Sequence, residues 1–128
     1  MCFIKRFGNN SAAKEFLDNP TVAEDYIKVY KLLLRCCRTT GNYYSPFRSF
    51  AYRRGEHYYQ TGKKKFGKRY VKGDVIISTG LHCYKTRKEA EVNRSWNEVL
   101  VTMWLPPGTQ YYINEYKKLI VADQLVFY

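Results

Sequence analysis

From about residue 26 onward the apolar and polar positions favour strands over helices, with clear alternation in residues 96–105. Tyr26-Ile-Lys-Val-Tyr-Lys-Leu-Leu-Leu-Arg35 is dense in strand formers, and its Lys28 and Lys31 define no helical polar face. That pattern predicts a strand over about 26–36. In residues 96–105, Val99, Val101, Met103 and Leu105 fall on one face and Leu100 and Trp104 on the other. A strand apolar on both faces belongs in the middle of a sheet. Shorter strands are expected within 52–60 and at 69–72, 75–78, 81–84 and 111–113, and residues 119–127 read as one closing strand.

Helical spacing is confined to short stretches. Ser11-Ala-Ala-Lys-Glu-Phe-Leu-Asp18 predicts a helix capped by Ser11 and ended before Pro20. Thr86-Arg-Lys-Glu89 has the spacing of a capping box, with Ala90 and Val92 carrying a helix to about residue 93. Thr21-Val-Ala-Glu24 has the same spacing and would open a helix toward Cys37, in competition with the strand over 26–36. Thr39-Thr-Gly-Asn42, Pro46 and Pro106-Pro-Gly108 mark turns. The expected fold is therefore α+β: a single domain over 1–128 with a curved, mainly antiparallel sheet and two short helices. Residues 1–25 read as a helical N-terminal arm and 26–128 as the core.

Charge changes the picture. The 128 residues carry 22 Lys and Arg against 11 Asp and Glu, a net +11. The excess is local: residues 48–72 hold Arg48, Arg53, Arg54, Lys63, Lys64, Lys65, Lys68, Arg69 and Lys72 against Glu56 alone, a balance of +8. Phe50, Tyr52, Tyr58, Tyr59, Phe66 and Tyr70 are interleaved with them. Lys and Arg release counterions on meeting phosphates, and aromatic rings stack on unpaired bases, so the segment points to nucleic acid or another polyanion. A solvated basic hairpin, or a grip on an acidic protein partner, would use the same residues. The expected contacts are Arg48, Arg53, Arg54, Lys63, Lys64, Lys65, Lys68, Arg69, Tyr70 and Lys72, with Phe66 as a second stacking ring.

Other chemistry is scarce. Cys2, Cys36, Cys37 and Cys83 form no C-x-x-C pair, and His57 and His82 are the only histidines, so no metal site is expected. Phosphate-loop, nucleophile-elbow and zincin signatures are lacking, and no cofactor is expected. No apolar run approaches the roughly 20 residues of a spanning helix, and the first residues do not form a signal peptide. The expectation is an intracellular protein without membrane contact, its thiols reduced.

Gly80-Leu-His-Cys-Tyr-Lys-Thr-Arg-Lys-Glu-Ala90, with Tyr43-Tyr-Ser-Pro-Phe47 and Gly55 upstream, resembles a loose family of small uncharacterised domains in phages, bacteria and large DNA viruses. The likeness spans about residues 26–128, ending with Pro107-Gly-Thr109 and a last strand, and the basic insertion around 63–72 departs from it. It implies a phage or viral origin, with the host cytoplasm or the virion as location, and an order of elements without an established activity. That order is similar to a stripped ADP-ribosyltransferase core. The similarity implies a nucleotide pocket, with His82 and Tyr84 facing the nucleotide, Ser45 on the neighbouring strand end and Glu115 as the acid. Three functions follow as expectations: a non-enzymatic basic protein on nucleic acid, a transferase-like nucleotide-binding domain, and a structural or host-inhibitory protein on an acidic partner.

Overall fold

Residues 3–35, 42–44, 51–60 and 66–128 are described by a computed structural model. The elements run β1 (Phe3–Arg6), α1 (Asn10–Asp18), β2 (Thr21–Val22), β3 (Ile27–Arg35), β4 (Asn42–Tyr44), β5 (Ala51–Arg53) and β6 (Glu56–Tyr59). They continue β7 (Lys68–Val71), β8 (Asp74–Ile77), β9 (Leu81–Tyr84), α2 (Arg87–Val92), β10 (Glu98–Leu105), β11 (Gln110–Asn114), β12 (Leu119–Ala122) and β13 (Gln124–Phe127). The fold is thus mostly antiparallel sheet with two helices.

Strand β3 forms where strand-forming residues are dense, Ile27 to Leu34. It pairs with β10 along eight residues, from Ile27 opposite Leu105 to Leu34 opposite Glu98. The large sheet runs β2-β11-β12-β9-β3-β10-β13-β6, with β4 also on β3 and β5 on β4. This order is open, and β10 lies inside it between β3 and β13, as a strand apolar on both faces should. A small sheet, β1-β8-β7, is separate.

Each face of the large sheet has its own core. Val29, Leu33, Val101, Met103, Leu105, Leu125 and Phe127 fill one, with Tyr43, Tyr52 and Cys83. Leu32, Tyr84, Leu119 and Val121 fill the other, against Phe3, Val75 and Ile77 of the small sheet, Ala13 and Leu17 of α1 and Ala90 of α2. Residues 3–25, read from the sequence as a helical arm, therefore also supply a strand and buried side chains to this second core.

Several local expectations are corrected. The α1 cap is Asn9, whose side-chain oxygen accepts from Ala12 N at 2.8 Å, and Ser11 lies inside the helix. Thr21-Val22 is a strand pairing with Gln110-Tyr111, so the capping-box spacing there opens no helix. Residues 119–127 are two strands: Asp123 breaks the run, its carboxylate accepting from Gln110 N at 2.9 Å. The central strand begins at Glu98, and Trp96 stands 97% exposed before it. The helix after Thr86 forms as expected, with Thr86 Oγ1 accepting from Glu89 N.

Candidate functional site

The basic segment divides according to what each side chain already holds. Arg48, Lys63, Lys64 and Lys65 lie outside the described residues. The Lys68 ammonium donates to Leu17 O at 3.1 Å and to the Tyr112 hydroxyl at 3.3 Å, satisfying a carbonyl in the last turn of α1. Arg54 donates to Tyr128 O at 3.0 Å and lies 4.8 Å over the Phe127 ring. Arg53 is exposed, and its backbone N–H donates to the Tyr58 hydroxyl. Phe66, expected to stack on bases, is instead a core residue: it is 7% exposed and meets Tyr112 edge-on at 5.2 Å.

Arg69, Tyr70 and Lys72 are left. All four residues of β7 are exposed, and among the described residues β7 is one edge of the small sheet, opposite β1. The hairpin to β8 turns at Lys72-Gly73, both with positive φ (52° and 84°), as a two-residue turn of this hand requires. A Cβ at Gly73 would lie 2.6 Å from Asn9 N, and Gly73 N donates to the Asn10 side chain at 2.7 Å. The turn is thereby docked on the start of α1, which holds the basic edge in place. Cross-strand registers put Lys5 and Arg6 of β1 on the same small sheet. Among the described residues, the side chains of Arg69, Tyr70 and Lys72 have no hydrogen bond or ion pair, while the backbone of β7 pairs with β8.

Of the residues implied by the transferase resemblance, His82 and Tyr84 lie on one face of β9, and Glu115 lies in the turn before β12. Ser45 lies outside the described residues. Tyr84 is 6% exposed in the second core, where burial, then Glu98 and Glu89, push its phenol up. Glu115 is exposed in the turn before β12 and paired with Lys118 at 3.2 Å, and that hydrogen bond holds its carboxyl below the usual range. It lies beyond the Tyr84 end of β9, whereas His82 lies toward the Gly80 end. His82 Nδ1 is 3.1 Å from Gly80 O, and its Nε2 is buried with no hydrogen-bond partner among the described residues. Burial, then the charge of Lys31, lowers the imidazole to about 4, so the ring is neutral at physiological pH.

A cation that the sequence reading passed over lies at the centre of the large sheet. Lys31 falls between Val29 and Leu33 on the inward face of β3 and is 8% exposed. One edge of β3 is paired throughout with β10. On the other edge β9 takes Tyr30 and β4 takes Leu34 and Arg35. Among the described residues, 31–33 have no strand partner on that side. The Lys31 ammonium donates to the His82 carbonyl and lies 5.2 Å from the Tyr52 ring centre. Burial lowers it to about 8. The available signal was register: in a strand with Val29 and Leu33 inward, Lys31 must point inward too, and Lys28 outward.

Among the described residues no three His, Cys, Asp or Glu side chains gather as metal ligands, and no helix is long and apolar enough to cross a membrane. No protein-family model, curated protein or solved structure matches this chain.

Proposed function

We propose that this is a small, basic, non-enzymatic binding protein that holds nucleic acid along the β7 edge, single strands in preference to duplex. The observation that carries the reading is the exposed trio Arg69, Tyr70 and Lys72, none of them committed to the fold among the described residues. Guanidinium and ammonium groups free of internal partners exchange counterions for phosphates at little structural cost. Tyr70, 41% exposed between them, offers a ring face for an unpaired base. A duplex hides its base faces, which is why single strands are favoured. Arg6, exposed on β1 at the other edge of the small sheet, adds a further cation to it.

Charged side chains on a free edge also discourage strand-to-strand aggregation, and that role needs no ligand. Fluorescence anisotropy with random-sequence oligonucleotides separates the two. The expected result is binding tighter than about 100 μM at low salt, the range of non-specific nucleic-acid affinity. Tyr70→Ala should lose about 1–3 kcal/mol on single strands and little on duplex. Failure of both single-stranded DNA and RNA to bind in that range overturns the proposal and leaves the edge with a protective role or an acidic protein partner.

A further inference from the structure

The face of the large sheet that carries the second core is covered at one end and open at the other. On β3, Leu32 lies in that core, whereas Lys28, four residues earlier on the same face, is exposed. Lys28 begins a row that crosses four strands through matched registers. It stands opposite Trp104 of β10, Trp104 opposite Val126 of β13, and Val126 opposite His57 of β6. Trp104 is half-buried and His57 exposed. Tyr59 follows His57 on the same face of β6. Tyr26 lies two residues before Lys28 and Tyr128 two after Val126, and their phenol groups meet. Tyr26, Tyr59 and Tyr128 are each at least half exposed, so this end of the sheet presents rings to water.

Local contacts hold the rings of β6 in place before any ligand arrives. Tyr59 stacks on His57 with centroids 4.2 Å apart, and its hydroxyl donates to His57 Nδ1 at 3.1 Å. The other ring nitrogen of His57, Nε2, donates to Gln124 Oε1 at 3.0 Å. Lys28 Nζ lies 5.9 Å from the Trp104 ring centre. A contiguous exposed patch of this kind marks an interaction surface. Its rings carry polar tips, which suit a flat ligand with polar edges. The row holds one cation and no carboxylate, and the chain as a whole carries +11, which repels a second copy and attracts an anion. We propose that this face is a stacking platform for the unpaired bases of a single-stranded nucleic acid, with Lys28 at the phosphate backbone. The platform rests on the reading of this chain as a nucleic-acid binder. It adds to the β7 edge a second surface, one that engages ring faces more than charge.

The test uses the full chain with Trp96→Phe, which leaves Trp104 as the sole tryptophan and changes an exposed residue outside the row. Labelled single-stranded DNA and RNA of random sequence are titrated, with anisotropy and Trp104 emission read together. Trp104 emission should be quenched in step with binding. Tyr59→Ala should weaken single-strand binding by roughly 5- to 150-fold, the worth of one base stack, with little change on duplex. Tyr59→Phe, which keeps the ring, should retain most of the affinity, and a circular-dichroism melt checks that both variants fold. Arg69→Gln/Lys72→Gln should lower the affinity yet keep the Trp104 quenching at saturation. Binding that leaves Trp104 emission and the Tyr59→Ala affinity unchanged overturns the platform and leaves the β7 edge as the site. Quenching with an affinity that Arg69→Gln/Lys72→Gln does not alter supports the platform and removes the β7 reading instead. Saturable quenching by a neutral oligosaccharide where oligonucleotides give none identifies a glycan surface and overturns the proposal, as does no response to either.

Discussion

Lys31 and Arg69 are both cations on antiparallel strands, and the two strands treat charge in opposite ways. Around Lys31 the sheet is covered, the neighbours are Val29, Leu33 and Val101, and burial works against the charge. Around Arg69 the strand is an edge with all its side chains exposed, so water carries the cost of the charge. A lysine inside a core lowers stability, whereas an arginine on an exposed edge leaves it nearly unchanged. Composition, which adds both to the same +11, does not distinguish them.

Substitutions beside Lys31 should give the largest effects. Met103 is fully buried opposite Val29, so Met103→Asp places an unpaired carboxylate in the core at a cost of several kcal/mol. Thermal melts followed by circular dichroism should find little cooperative folding. Val101→Asp differs because Val101 is the register partner of Lys31. Its carboxylate gains an ammonium, so it should cost about 1–3 kcal/mol less than Met103→Asp, and a Lys31→Met background should restore the full cost. Equal penalties for the two Asp variants in wild type would show that Lys31 does not face Val101.

The next effect is pH-dependent. Lys31 sits near 8 in the folded chain against 10.5 for a free lysine, so between these values the unfolded chain binds more protons. Stability then rises with pH across that window, and the full penalty, on the order of 3 kcal/mol, applies below about pH 8. Lys31→Met should therefore be more stable than wild type at pH 7, with the advantage shrinking toward pH 10.5. Urea unfolding of both proteins at several pH values reads the difference directly, and it removes the opposing titrations of Tyr52 and Cys83, which both proteins share. An advantage constant with pH would place Lys31 in water.

The smallest effect belongs to the edge. Arg69→Gln/Lys72→Gln should change unfolding free energy by less than about 0.5 kcal/mol, since neither side chain holds a partner among the described residues. A larger loss in urea unfolding would mean that the edge is part of the scaffold.

Sequence pattern carried the strands well, because strand formers fill β3 and period two is clear in β10. It failed where one residue outweighs a pattern. Asn9 and Ser11 are both good caps, and the helix starts at Asn10, which accepts from Gly73 N across the chain, a contact with no local trace in the sequence. Apolar density across 119–127 hid the break at Asp123, whose carboxylate is satisfied by a backbone N–H on β11. In the basic segment, charge was legible but commitment was not. Lys68 and Arg54 bond to Leu17 and Tyr128, 51 and 74 positions away, and such distant partners leave no local trace. Phe66 had the surroundings of a stacking ring and the destination of a core residue.

The salt dependence of single-stranded oligonucleotide binding, measured on wild type, Arg69→Gln/Lys72→Gln and Lys31→Met, tests the contrast most directly. Each neutralised phosphate on a single strand contributes about −0.7 to the slope of log K against log[salt]. The double variant should therefore flatten the slope by about 1.4, while Lys31→Met leaves it at the wild-type value. A slope unchanged by the double variant, or flattened by Lys31→Met alone, would contradict the assignment of nucleic-acid binding to the exposed edge.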